Sequence, residues 1–429
     1  MYFPRFLLQF LAVMGISRAA QSRESFTVCT VPAAGSTSID DAPAILEAFR
    51  KCGHGGKIIF TNTTYHINSV MNTTGLQDCE VDLQGTLLWS TNITYWLNNS
   101  LPVGYQNQST AWIIGGKNLH FNGHGYGTLN GNGQTWYDFV GSVSNYPRRP
   151  HAMTVSGATD SIFDGVRFVR SQMCDIESFI RTLSIIHSQR TSFTNIHVNN
   201  TGESGTAHNT DGADTIYSSD ITFRNWEVVN GDDSISLKAN STDILIEDCT
   251  FYNGLGVAIG SIGQYKDVYE TVERVLVKNI TYDNTLHAAY VKTWTGEQAG
   301  YPPNGGGGGL GYASHMMFEG LSATAFRGPA FAISQCTTFS GASGNCTSSK
   351  FQLKDIVLKD IVGTSSSGEV ASLQCSAVEP CENITIAGVD LTFSNGTQVD
   401  DYLCGNVDGT FGFNCTGDVC VGSSATGGC

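Results

Sequence analysis

From Phe121 onward one short pattern recurs along the chain: an apolar residue, any residue, then Asn, Asp or Gly, then a second apolar residue. Its members are Phe163-Asp-Gly165-Val166, Phe193-Thr-Asn195-Ile196, Phe223-Arg-Asn225-Trp226, Ile246-Glu-Asp248-Cys249, Val277-Lys-Asn279-Ile280, Phe318-Glu-Gly320-Leu321, Leu353-Lys-Asp355-Ile356 and Ile386-Ala-Gly388-Val389, at intervals of 23 to 41 residues. In most units the alternation continues one step, as in Val166 with Phe168, Ile196 with Val198 and Trp226 with Val228, which is the period of a β-strand. Helical spacing is nearly absent after residue 60. Only Asp40 to Cys52, apolar at Ala42, Ile45, Leu46 and Phe49, reads as an amphipathic helix, and it is placed to cap an N-terminal end. Short strands divided by Gly/Asn turns at a solenoid period, without intervening helices, predict an all-β chain forming a single right-handed parallel β-helix rather than βαβ units. A β-sandwich would instead repeat every ~8 to 12 residues without a shared Asn/Asp/Gly register.

Composition adds detail. Only 14% of residues are charged and 49 are glycine, so tight turns and buried polar ladders are expected. Length alone, at roughly 150 residues per domain, suggests about three domains, but the repeat argues for one. The first residues read as an export signal over 1–20: Arg5 is followed by the apolar run from Phe6 to Ile16, too short to span a bilayer, and then by the small residues Ser17, Ala19 and Ala20. The single β-helix domain is then 21–429, secreted and monomeric. Asn-x-Ser/Thr acceptors at Asn62, Asn72, Asn92, Asn98, Asn107, Asn199, Asn240, Asn279, Asn345, Asn383, Asn395 and Asn414 predict N-linked glycans. The 13 cysteines, none in a CxxC pattern and most clustered after Cys336, predict small disulfide loops with one thiol left over.

The formal charge of −15 disfavours nucleic acid and anionic membrane as partners, since both are polyanions. An acidic polysaccharide is repelled by the same field, so an acidic sugar must be met by a local cation.

The chemistry is concentrated in acidic clusters one coil apart: Asn209-Thr-Asp211-Gly-Ala-Asp214 and Gly231-Asp232-Asp233. Coils stacked about 4.8 Å apart bring Asp211, Asp232 and Asp233 to one face. Three like charges held together raise the proton affinity of one member, as a general acid requires, and leave the others to activate water. Glycoside hydrolysis with inversion asks for such a set, with carboxyl groups roughly 6.5 to 9.5 Å apart. A simple Asp-Gly turn and a calcium site are the competing readings of these motifs.

The order NTDGAD at Asn209 to Asp214, GDD at Gly231 to Asp233 and GLGVAIGSIG at Gly254 to Gly263 resembles glycoside hydrolase family 28, the polygalacturonases and rhamnogalacturonases, across roughly residues 25 to 420. The resemblance implies Asp232 as general acid, Asp211 and Asp233 as the pair that deprotonates water, Asp214 as structural, Asn209 as shaping the site, and Lys292 as the lysine of the family's RIK triplet, contacting substrate. It implies no metal and no cofactor. Two positions depart from the family pattern. Leu255 stands where a GHG turn carries histidine, with His208 beside Asn209 a candidate to fill part of that role, and Tyr290 stands where arginine is usual. A guanidinium pairs bidentately with a sugar carboxylate, whereas an aromatic ring offers an apolar face to a deoxysugar methyl. YVKTWTG from Tyr290, followed by Tyr301 to Asn304 and the glycines Gly305 to Gly309, resembles the exo-acting fungal branch; the glycines suit a mobile lid, a blocked cleft end or an exposed insertion. The expected activity is release of terminal α-L-rhamnose from pectic polysaccharide or another rhamnoside. Release of terminal galacturonate is the alternative. A calcium-dependent lyase and a non-catalytic carbohydrate-binding β-helix are the readings from other classes.

Overall fold

A computed structural model describes residues 27–140, 146–172, 181–203, 205–206, 210–298, 305–338, 344–419 and 421–422. The chain winds into a right-handed parallel β-helix, nearly every strand pairing in parallel with the one a coil before and a coil after. The register threads the repeat directly: Phe163, Phe193, Phe223, Ile246, Val277, Phe318, Leu358 and Ile386 are successive partners. Inside the coil these side chains stack. The rings of Phe121, Phe163, Phe193 and Phe223 follow one another with centroids 5.8, 5.0 and 5.9 Å apart, nearly parallel.

The residue two positions after each of these explains the Asn/Asp/Gly preference. Gly165, Asn195, Asn225, Asp248, Asn279, Gly320, Asp360 and Gly388 all have φ between 54° and 66°, the left-handed region that glycine enters freely and that Asn and Asp tolerate best. The asparagine amides also ladder: Asn195 donates to Asp164, Asn225 to Asn195 and Asn279 to Asp248, each at 2.6 Å. These ladders are exposed at the coil corners, not buried as composition suggested.

One unit of the repeat is displaced. The chain carries two similar tetrads, Leu353-Lys-Asp355-Ile356 and Leu358-Lys-Asp360-Ile361, and the second continues the Phe318 row. Leu353 pairs instead with Ala313, and Asp355, also left-handed at φ 54°, belongs to a second corner that contains His315 at the same angle.

The expected cap is the helix Ala42–Cys52. Ala42, Ile45, Ala48, Phe49 and Cys52 are buried against the first coil, and a disulfide joins Cys52 to Cys29. Two further helices, Ile93–Asn99 and Gln134–Val140, were not expected; each is about two turns long, too short for a period to register, and each buries a tryptophan, Trp96 or Trp136. At the C-terminal end the pairs Cys336–Cys346, Cys375–Cys381 and Cys404–Cys415 close short loops, as clustering predicted. Two described thiols, Cys79 and Cys249, are unpaired and buried rather than one, while Cys174, Cys420 and Cys429 lie outside the described residues.

Gly305 to Gly309 are neither a lid nor an exposed insertion. All five are buried, and the backbone amides of Gly306, Gly307 and Gly309 donate to Gln264 and Gly263 of the preceding coil. A Cβ at Gly309 would stand 2.5 Å from Gly263, so the run is glycine because two backbones touch there. Tyr301 to Asn304 lie outside the described residues.

Candidate active site

Four consecutive coils contribute one strand each: Asp211–Ile216, Asp233–Leu237, Gly256–Ile262 and Ala289–Trp294. Alternation divides their side chains. Ala213, Ile235, Val257 and Ala289 are register partners pointing into the core, so the next row, Asp214, Ser236, Ala258 and Tyr290, lies on the opposite face. Asp211 and Asp233 open their strands, which places both carboxylates at the corner where the chain enters this face.

That corner is built by Asn230. Its amide donates to the carbonyls of Thr210, Asp232 and Asp233 at 3.0, 3.0 and 2.9 Å, tying the two acidic segments together. The Gly231 amide donates to the Thr210 hydroxyl, and the Leu255 amide to the Asp232 carbonyl, so the turn is held from both neighbouring coils. One oxygen from each of Asp211, Asp232 and Asp233 lies within 4.8 Å of the others. At closest approach this is tighter than the gap expected between two carboxyl groups, because the spacing of stacked coils sets it. Three carboxylates of this kind suit a hard cation, though calcium takes about 6 to 8 oxygens.

The three acids differ in surroundings. Asp211 and Asp233 are fully buried, whereas Asp232 is half-buried. Desolvation, and then the neighbouring Asp233 charge, push the Asp232 carboxyl up to about 7; Lys292 and the Asp233 amide, which donates to Asp232 at 2.8 Å, work against that rise. Lys292, only 4% exposed, is pulled below its ordinary range by burial, against the opposing pull of Asp233 and Asp232.

Tyr290 is wholly buried and presents no exposed ring face. Its hydroxyl donates to Asp233 Oδ1, two coils away, and the Lys292 ammonium sits 5.5 Å from its ring centroid. Leu255 packs against the apolar cluster that Tyr290 forms with Ala258 and Ala332. His208 and Asn209 lie outside the described residues. Asp214 forms a fully buried ion pair, 3.4 Å from Lys238, whose ammonium also donates to Ser236 and the Gly260 carbonyl.

Sequence reasoning passed over Asn230, Lys238, His287 and Arg327. Arg327 clamps the carbonyls of Asn253 and Gly254 below Leu255, and His287 donates from Nδ1 to Pro329 with its ring 5.2 Å from that of Tyr290. Lys238 did carry a signal: it is the lone charge after Asp233 in the alternating run Ser234-Ile-Ser-Leu-Lys238. The others are recognisable only through register.

The profile of the family described as glycosyl hydrolases family 28 matches residues 63–415. The chain belongs to glycosyl hydrolases family 28. It is 65% identical over 423 residues, 98% of this chain and 97% of the relative, to alpha-L-rhamnosidase rgxB of Aspergillus niger. It is 32% identical over 396 residues, 90% of this chain and 86% of the relative, to an exopolygalacturonase of Cochliobolus carbonum. Among solved structures, the endo-xylogalacturonan hydrolase from Aspergillus tubingensis superposes with a TM-score of 0.76 at 27% identity, covering 93% of this chain and all of that one. Within a family 28 glycosidase, the Leu255 and Tyr290 departures therefore sit on an otherwise familiar scaffold.

Proposed function

We propose that the protein is an exo-acting, inverting glycosidase that releases terminal α-L-rhamnose from pectic or other plant rhamnosides, with Asp232 as general acid and Asp211 and Asp233 as the base pair. The carrying observation is the asymmetry among three adjacent carboxyls: one is partly exposed and keeps its proton to about 7, and two are fully buried beside it. Asp232 gives its proton to the glycosidic oxygen as that bond breaks. Water held by Asp211 and Asp233 loses a proton to them and attacks the anomeric carbon from the opposite side, leaving Asp232 ionised. Asn209, His208 and Lys292 contact the sugar in this reading, and Tyr290 belongs to the same site.

Rhamnose is favoured by the 65% identical rhamnosidase relative and by Tyr290, which removes the guanidinium a sugar carboxylate would use. Terminal galacturonate is the second reading, supported by Lys292 and by the exopolygalacturonase relative. Among the described residues no helix is long and apolar enough to cross a membrane. Cleavage near Ala20, secretion, a monomeric state and N-glycans belong to the same proposal. Ten sequon asparagines are exposed, and Asn199 and Asn240 are half-buried.

The test is incubation with an aryl α-L-rhamnoside and, separately, with polygalacturonate, identifying the released sugar and following its initial anomer by NMR. Rhamnose of inverted configuration is expected. Galacturonate would install the second reading, and a retained anomer would replace water attack with a covalent intermediate. EDTA should leave turnover unchanged; loss of activity restored by calcium, with an ultraviolet-absorbing unsaturated product, would mean elimination.

A further inference from the structure

The two departures from the family pattern are one structural unit. Tyr290 pairs in register with Ala258, and Asp233 with Gly256, so a single coil separates the phenol from the carboxylate it reaches. That coil offers the ring only the Ala258 methyl and a glycine. Gly256 has φ +96°, and a Cβ there would lie 2.3 Å from the His287 carbonyl, so the place stays free of a side chain. The ring clusters with Ala258 and Ala332, Leu255 packs against that cluster, and the His287 ring lies 5.2 Å away, tilted to it. A histidine at 255 would put a polar ring into this apolar wall.

We infer that Tyr290 is a positioning residue: its hydroxyl fixes the orientation of the Asp233 carboxylate beside Asp232, so that Asp233 serves as base and Asp232 as acid. A hydrogen bond donated to a carboxylate favours the charged form. The titratable and charged groups around Asp233 are Asp211, Asp232, Lys292 and Tyr290, with Lys238 acting on Asp232 while paired to Asp214, and His287 beside the Tyr290 ring. Lys292 acts on all three carboxyls, and Lys238 on Asp232. Among the described side-chain hydrogen bonds, the phenol reaches Asp233 alone, while Asp232 receives the Asp233 backbone amide. In this chain the phenol therefore distinguishes base from acid, and Leu255 belongs to the apolar wall around it.

The inference rests on the hydrolytic reading above, and is read on whichever substrate the wild type turns over, so an error about the sugar does not touch it. Tyr290→Phe keeps the ring and removes the donor. Its kcat should fall about ten- to a hundred-fold, the scale of one hydrogen bond to a charged group. KM should stay within about two-fold, and the acidic limb of kcat/KM should move to higher pH by about one unit, because the ionised base has lost its donor. Incorporating 3-fluorotyrosine at 290 keeps the shape, sharpens the donor and should move the same limb to lower pH, which covers the case in which the phenylalanine variant folds poorly. A raised KM with kcat and both limbs unchanged would make Tyr290 a sugar-recognition residue and overturn the inference, as would a limb indifferent to fluorination.

Discussion

Each coil of this β-helix has two kinds of face, and the coil running through Asp211 and Phe223 shows both. On its ladder side, Phe223 stacks between like residues and Asn225 donates to an identical asparagine one coil below. On its catalytic side, Asp214 and Asp211 meet unlike partners: a lysine from the next coil, a carboxylate pair, and beyond them a tyrosine from three coils on. Repetition satisfies the first face locally, so any one contact is nearly redundant. The second face is a set of single, buried, unlike contacts, where removing one strands the others. The contrast implies that equal-sized substitutions have unequal consequences on the two faces.

The largest effect belongs to Asp232→Asn. Loss of the general acid should lower kcat by about 100- to 10,000-fold, while the fold persists because the side chain keeps its size. The wild-type profile should lose kcat/KM as pH rises through about 7, where Asp232 ionises. The sign for stability runs the other way from a usual carboxylate: the folded value lies above the unfolded one, so ionisation penalises the folded state as pH rises between them. Calorimetry should therefore find Asp232→Asn equal to wild type near pH 4 and more stable near pH 7. Activity within a few-fold of wild type would remove Asp232 from its role.

Next comes Lys238→Met, which removes the cation 3.4 Å from the buried Asp214 carboxylate. Breaking a buried pair from one side costs about 3 to 5 kcal/mol, and denaturant unfolding should show it. A loss below about 1 kcal/mol, the usual worth of an exposed pair, would mean that water reaches Asp214.

What could be read from the sequence follows the same division. Phe163, Asn195 and Gly320 recur because each coil solves the same corner problem, and a local period exposes that. The NTD and DD segments were legible as motifs, but which side chain meets which was not: Tyr290 and Asp233 are 57 residues apart, and only register, with Gly256 and Ala258 between them, brings them together. Tyr290 and Leu255 thus read as two independent departures although they share one apolar wall. Leu353 was mistaken for a ladder member because an equivalent tetrad follows five residues later, and local pattern cannot choose between them.

This coupling sharpens the third prediction. Leu255→His and Tyr290→Arg together should shift relative kcat/KM toward galacturonate-terminated substrates by about ten- to a hundred-fold, since a charge-assisted contact contributes roughly 1.5 to 3 kcal/mol. Because the two side chains belong to one apolar cluster, the single variants should not add up to the double; an interaction term of about 0.5 to 3 kcal/mol is expected in a four-enzyme cycle. Additive singles would show that the two positions act separately.

The smallest effects lie on the ladder. Asn225 does two things at once, holding φ at 55° and donating to Asn195, and two substitutions separate them. Asn225→Gly keeps the left-handed conformation and removes only an exposed amide contact, so it should cost under about 1 kcal/mol. Asn225→Ala keeps a Cβ in the left-handed region and should cost about 1 to 2 kcal/mol, the larger loss despite the smaller change in flexibility. Neither should alter kcat/KM, because Asn225 lies on the ladder side of its coil. If glycine proved the more damaging of the two, the amide ladder rather than the corner conformation would be what selects asparagine. The ladder would then behave as a cooperative array, and the redundancy that distinguishes this face from the catalytic one would fail.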